Sequence, residues 1–246
     1  PDGAPVTAQR RTGRHRPRQR DLAGTERLVA QQRTKDPRGC LLQRLHANPG
    51  VYHPRVETVV PLVLASASPR RRELMTAAGY TFDVDVADVD EAVRAGETAD
   101  AYVRRVARAK ALAVAARRPD ALVLGADTTV VVDSDILAKP VDAADAARML
   151  RQLSGRAHRV LTAVCAIGPT GESEGQSETH VWMRPLSEPE IADYVASGEP
   201  ADKAGAYAIQ GRASRFIPRI DGEYSNVVGL PMTVVDGLLR QLRVVS

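Results

Sequence analysis

Apolar and polar positions change rhythm abruptly near residue 60. Before that point the only apolar patch is Leu41, Leu42 and Leu45, set among scattered Arg and Pro. Such a stretch buries too little surface to offset its chain entropy, so 1–58 reads as a basic, disordered extension. From Pro61 the pattern becomes that of strands and helices in mixed order. Leu62-Val63-Leu64-Ala65 has the form of a short buried strand, and Pro69 to Ala78 that of a helix stopped at Gly79. Residues 81–91 read as a strand running into an acidic loop, after which Thr98 or Asp100 caps a helix to about Arg118. Ala121 to Val132 is strongly β, with Asp133-Ser134-Asp135 as a turn into 136–139. Asp142 caps a helix with Ala146, Met149, Leu150 and Leu153 on one side, ended by Ser154-Gly155. Strands are expected near 158–167 and 178–184, and Ser187 with Glu190 makes a capping box for a helix to Ala196. The last part reads as strand, turn at Asp221-Gly222, strand, then a helix from about Thr233 to Leu242. Mixed elements without an internal repeat predict one α/β or α+β domain over 61–246.

Composition narrows the class. The chain has 246 residues, 43% hydrophobic and 26% charged, which is ordinary for a globular protein. Its net charge of +4 is unevenly divided: 1–58 hold 12 Lys/Arg against 5 Asp/Glu, leaving 22 against 25 for the rest. The basic character therefore belongs to the extension and says nothing about the folded part. A tether for nucleic acid or an anionic surface is the rival reading of that extension, but no aromatic residues are interleaved to support it. No apolar run approaches the ~20 residues of a membrane span. The sequence begins without Met and without a secretory h-region, so it reads as a processed or partial chain. Cys40 and Cys165 do not make a disulfide framework, and the five histidines lack zinc-site spacing. A cytoplasmic enzyme without a structural metal is the expectation.

The first chemical signal is Ser66-Ala67-Ser68-Pro69-Arg70-Arg71-Arg72. Ser68 suits an N-cap and Pro69 the first helical position. Three arginines then fall in the first turn, where the helix dipole disfavours each cation by a few tenths to ~1 kcal/mol. Their presence implies an anion there: free N–H groups and bidentate guanidinium groups together suit a phosphate. The bland alternative is a set of solvated arginines near Glu73. No Walker A loop is present.

The second signal is Asp127, a lone acid inside Leu122-Val123-Leu124-Gly125-Ala126-Asp127-Thr128-Thr129-Val130-Val131-Val132. Buried and ionised, it requires a cation or donors; the alternative is an acid marking a strand end. Lys139 shares its face if the turn at 133–135 has three residues, and takes the other face if it has two. Lys110 continues the apolar stripe Val103, Val106, Ala107 of the preceding helix, either snorkelling or neutralising phosphate. Asp83, Asp85, Asp88, Asp90 and Glu91 form an acidic segment. One of these carboxylates, paired in space with Asp127, would make a Mg²⁺ or Mn²⁺ site.

Together these residues resemble the Maf family of nucleoside triphosphate pyrophosphatases. The likeness is carried by Leu64-Ala65-Ser66-Ala67-Ser68-Pro69-Arg70-Arg71, Val89-Asp90-Glu91, Ala109-Lys110-Ala111, Gly125-Ala126-Asp127-Thr128 and Ala138-Lys139-Pro140. It continues in Leu153-Ser154-Gly155-Arg156, Lys203 to Gly211 and Asn226-Val227-Val228-Gly229-Leu230-Pro231. The resemblance covers 61–246 and implies an α/β fold with a mixed twisted sheet flanked by helices, two lobes and a central nucleotide cleft. It implies hydrolysis between the α and β phosphates, a divalent cation, no nucleic-acid partner and a homodimer. Asp127 matches the family's proton acceptor; Ser66, Arg71, Glu91, Lys110 and Lys139 match motif residues around phosphate and metal, with Asp127 and Glu91 as metal ligands. Arg70, Thr128 and Gln210 match positions of substrate choice, and Ala206-Tyr207-Ala208-Ile209-Gln210-Gly211 resembles the branch acting on dTTP and UTP. By the same resemblance the rival is a nucleotide-binding regulator that inhibits septum formation.

Overall fold

The computed structural model describes residues 60–242. The basic segment 1–58, and with it the expectation of a disordered extension, lies outside the described residues.

The longest apolar run makes the central strand. Strands β1 (Leu62–Leu64) and β2 (Asp83–Val84) run parallel to each other, and β1 runs parallel to β3 (Leu122–Val132). Strand β4 (Asp135–Leu137) folds back antiparallel on the end of β3, and β5 (Ala157–Gly168) covers the other edge from Val123 to Val131. Strand β6 (Gly171–Trp182) pairs with β5, and β7 (Arg219–Asp221) pairs with β6. The seven-stranded mixed sheet has the order β2-β1-β3-β5-β6-β7, with β4 on β3.

One consequence of this register makes room for a site. On one edge of β3, β1 pairs with residues 122–124 and β4 with 130–132. Among the described residues, 125–129 between them have no strand partner on that edge, and Asp127 is in the middle of the gap.

Helices cover both faces. Helix α1 (Pro69–Ala77) is capped by Ser68, and α2 (Ala99–Ala115) by Thr98, whose side chain accepts from the Ala101 amide at 3.3 Å. On α2, Val103, Val106, Ala107 and Ala111 pack against Val63, Val123 and Val131. The even-numbered residues of β3 point the other way. Leu122 and Leu124 meet Met75 of α1 and Val235 and Leu239 of α6 (Met232–Gln241). Val130 and Val132 meet Met149, Leu150 and Leu153 of α3 (Ala143–Leu153), in one cluster with Ile191 and Tyr194 of α4 (Glu188–Ala196). Alternation along one strand thus builds separate apolar groups on its two faces.

The structure corrects several expected boundaries. Strand β6 begins at Gly171, seven residues before its expected start at 178. Its first half is Gly, Glu, Ser and Gln, held by backbone pairing to β5 with little burial to reveal it. The strand expected to run into an acidic loop within 81–91 is only Asp83–Val84, and the loop takes the rest. The strand expected after Gly222 is a helix, α5 (Tyr224–Val228). Buried Asn226 fixes it there by donating from Nδ2 to the Val160 carbonyl at 3.0 Å and to Thr179 Oγ1 at 2.9 Å. The β3–β4 turn has two residues, since Val132 faces Asp135, and Asp133 takes a positive φ of 54°. Among the described residues no helix is long and apolar enough to cross a membrane.

Candidate active site

A cavity of about 480 Å³ opens at the unpaired edge of β3. Its polar wall comprises Ser66, Ser68, Arg70, Arg71, Glu91, Lys110, Asp127, Thr128 and Lys139; Val130, Val160, Tyr207 and Val227 supply an apolar wall. Nine of the ten residues singled out in the sequence therefore meet at one place. Gln210 does not: it is exposed on the turn after Ile209, outside the cavity lining. Arg72 is exposed.

Asp127 is brought to the cavity by the odd-numbered face of β3, towards α2. Gly125, two residues earlier on the same face, lets the helix approach. A Cβ there would stand 2.3 Å from the Ala107 carbonyl oxygen and 2.6 Å from the Ala111 nitrogen. With the helix this close, Lys110 Nζ donates to Asp127 Oδ1 at 2.8 Å and reaches Glu91 Oε1 at 2.9 Å. The lysine on the apolar stripe and the acid in the apolar strand compensate each other.

The two carboxylates differ in environment. Burial raises the Asp127 pKa, opposed by the charges of Lys110 and Arg71. Burial pushes Glu91 upward too, but the Lys110 hydrogen bond and the charges of Lys110, Lys139 and Arg71 outweigh it, and its pKa is lowered. Asp127 is thus the better proton acceptor, and Glu91 the more firmly ionised group. Asp127 Oδ2 is buried and has no hydrogen-bond partner.

That free oxygen, together with Glu91, suits a hard divalent cation. Mg²⁺ bound with a nucleotide takes one or two carboxylates and fills its remaining positions with phosphate oxygens and water. Among the described residues no group of three or more His, Cys, Asp or Glu could hold a metal unaided, so such a cation would depend on the substrate.

Lys139 enters from the other side. The two-residue turn puts it out of the parity that would align it with Asp127, but β4 ends at Leu137, before the lysine. Beyond the ladder its Nζ comes within 3.8 Å of Glu91 Oε2, with the side chain 64% exposed. It faces Glu91, and of the two alternatives set by turn length the two-residue one holds.

Arg71 is also redefined. Its Nε donates to the Gly229 carbonyl at 2.7 Å, Nη1 to Ser66 Oγ at 3.0 Å and the Ala126 carbonyl at 2.9 Å, and Nη2 to Thr128 Oγ1 at 3.1 Å. Four of a guanidinium's five donors are thus directed to protein, one of them to the β3 edge that lacks a strand. These bonds tie Arg71 to two carbonyls and two hydroxyls of the site's own wall, beside the position where a phosphate is expected from the sequence. Burial lowers its pKa, and Asp127 counters that shift. Arg70, on the same turn, reaches the cavity with its Nη1 3.2 Å from Asp202 Oδ2. Ser68 caps the helix, and Ser66 Oγ accepts from the Ser68 amide at 3.3 Å.

Three polar lining residues carry no clear signal in the sequence. Tyr102 lies outside the stripe Val103, Val106, Ala107, Tyr207 lies within a motif assigned only through Gln210, and Asp202 carries no signal beyond its charge. Each lines the cavity.

The Maf-like protein family model matches residues 61–242. The chain is 52% identical over 180 residues to the dTTP/UTP pyrophosphatase of Koribacter versatilis, covering 73% of this chain and 93% of that protein. It is 53% identical over 191 residues to the dTTP/UTP pyrophosphatase of Cupriavidus metallidurans, covering 73% and 96%. Among solved structures, the Staphylococcus aureus Ham1 protein matches 74% of this chain and 97% of its own at 14% identity, with a TM-score of 0.43. The family model over 61–242 and the relatives from Koribacter versatilis and Cupriavidus metallidurans lead to one conclusion: the chain belongs to the Maf family.

Proposed function

We propose that the chain is a nucleoside triphosphate pyrophosphatase acting on dTTP and UTP, releasing the monophosphate and pyrophosphate. The observation that carries this is Asp127: a buried carboxylate with one oxygen on Lys110 and the other unpartnered, facing a cavity rich in cations. A triphosphate brings about four negative charges, which the wall can meet with Arg70, Lys110, Lys139 and the start of α1. The apolar wall at Val130, Val160, Tyr207 and Val227 suits a base.

In this reading Asp127 Oδ2 accepts a proton from water as the water oxygen bonds to the α-phosphorus. The bond from that phosphorus to the α–β bridging oxygen breaks, and pyrophosphate leaves with its charge met by the lysines and Arg70. Lys110 holds Asp127 in place and keeps it ionised. A Mg²⁺ or Mn²⁺ ion held by Glu91 and phosphate oxygens, beside the Asp127 carboxylate, would add charge neutralisation while leaving Oδ2 free to take the proton. Removal of such triphosphates, modified pyrimidines included, would keep them out of nucleic acids. The reading includes a cytoplasmic setting, as expected from composition, and a homodimer, as the resemblance implies, with sedimentation as the check on the dimer.

The test is a nucleotide panel assayed for pyrophosphate release with Mg²⁺ and with Mn²⁺. Preference for dTTP and UTP, abolished by Asp127→Asn, is the expected result; inorganic phosphate release alone, or turnover surviving Asp127→Asn, overturns it.

A further inference from the structure

Glu91 lies in a segment without regular structure, between β2 and α2. A carboxylate that meets phosphate or cation must be held within a fraction of an ångström, and a loop does not do this by itself. We infer that Arg105 and the Tyr102 hydroxyl of α2 are positioning residues that fix Glu91 for the reaction. The inference rests on the proposed hydrolysis for its kinetic consequence.

Three successive carbonyls of the loop accept from side chains of this one helix. Arg105 Nη1 donates to the Asp90 carbonyl at 3.4 Å, Tyr102 Oη to the Glu91 carbonyl at 3.1 Å, and Arg105 Nη2 to the Ala92 carbonyl at 2.8 Å. The carboxylate of Glu91 meets Lys110 of the same helix. Residue 91 is therefore tied to α2 at both its backbone and its side chain. Arg105 is itself locked: Nε and Nη2 donate to Glu97 Oε1 and Oε2 at 2.6 and 2.8 Å, and its guanidinium lies 5.7 Å from the Tyr102 ring centre. Glu97 in turn accepts from the Arg94 amide at 3.0 Å, closing the loop on itself.

The neighbouring arginines show that this placement is particular. Arg104 and Arg108 reach carboxylates on β6, Glu174 and Glu172, in exposed pairs. The Arg105–Glu97 pair has side chains only 19% and 9% exposed and adds contacts to loop carbonyls. Loop backbone at a site edge, bonded to a rigid helix that also carries Lys110, is the arrangement that sets a distance between Glu91 and Asp127.

The test is a double-mutant cycle on dTTP hydrolysis, with Arg108→Met as the control on the same helix. Arg105→Met is expected to lower kcat about tenfold or more, since small misplacements can cost on the order of 100-fold, with KM changed by less than about threefold. In a Glu91→Gln background the same substitution is expected to change kcat by less than about twofold. Amide exchange over 90–97 should speed up in Arg105→Met while β3 stays protected. An undiminished loss in the Glu91→Gln background, or unchanged exchange, overturns the inference. If Arg105→Met does not fold, Tyr102→Phe, which removes one oxygen, takes its place under the same criteria. A wild-type chain that releases no pyrophosphate defeats the functional reading instead, and the exchange measurement still decides whether the clamp holds the loop.

Discussion

Lys110 Nζ is 2.8 Å from Asp127 Oδ1, in a pair whose side chains are 10% and 7% exposed. Without Lys110, buried Asp127 loses the cation it is hydrogen-bonded to, whereas Lys110 without Asp127 still has Glu91 at 2.9 Å. A buried pair of this kind adds little net stability, but breaking it by removing one partner costs about 3–5 kcal/mol. Lys110→Met should therefore lower stability by about that amount and raise the Asp127 pKa further, because the first charge opposing its burial is gone. Urea unfolding and a pH–rate profile check this: the acid limb of kcat/KM is expected to move to higher pH. A variant with wild-type stability would show that the pair is not desolvated in solution.

Gly125→Ala tests how close approach creates the site. Its Cβ would meet the Ala107 carbonyl and Ala111 nitrogen, both backbone atoms of α2 that cannot swing aside. The helix must move away from β3, and overpacking of this type costs about 1–3 kcal/mol. Because Lys110 rides on α2, turnover should fall by more than the stability loss explains at a temperature where the variant stays folded. Unfolding midpoints measured beside kcat separate the two effects.

Much of this site was legible because its residues violate the patterns around them. Asp127 interrupts an apolar strand and Lys110 an apolar helix stripe, and each anomaly is the answer to the other. The caps at Ser68, Thr98, Asp142 and Ser187 likewise fall where short polar side chains precede helical runs. What stayed hidden depends on partners without a sequence signature. Arg71 is bound by the carbonyls of Ala126 and Gly229, and every residue has a carbonyl. The face of Lys139 depends on whether the turn has two residues or three, and composition alone does not choose between them although one residue reverses the face of everything after it. The Val227-Val228 pair in α5 favours a strand by propensity, and the hydrogen bonds of Asn226 across to β5 and β6 work against it.

Asp202 is expected to compete with substrate for Arg70. It pairs with Arg70 at 3.2 Å and with Lys203 at 2.5 Å, and the Asp202 and Arg70 side chains are 62% and 22% exposed. A phosphate approaching Arg70 must displace a carboxylate. Asp202→Asn is expected to lower KM for dTTP about two- to fivefold, the scale of an exposed pair worth up to ~1 kcal/mol, with kcat little changed. The difference should shrink as salt is raised, since exposed pairs are screened. A higher KM in the variant would instead assign Asp202 a direct part in binding.

His158 sets a pH limit on the fold. It is buried on β5, its Nε2 lies 2.8 Å from Tyr207 Oη, and its Nδ1 has no partner. Burial pushes its pKa down from 6.5 to about 4. Between those values the unfolded chain binds a proton that the folded chain refuses, so the stabilisation is complete above pH 6.5 and lost as pH falls towards 4. The slope is about 1.4 kcal/mol per pH unit, so the wild type should lose about 2 kcal/mol between pH 6.5 and 5 from this group alone. His158→Gln keeps a polar partner for Tyr207 but cannot titrate, and its stability over that interval should fall by correspondingly less. Urea unfolding at pH 5 and pH 7 for both proteins decides the matter: parallel losses would assign the acid sensitivity to other groups.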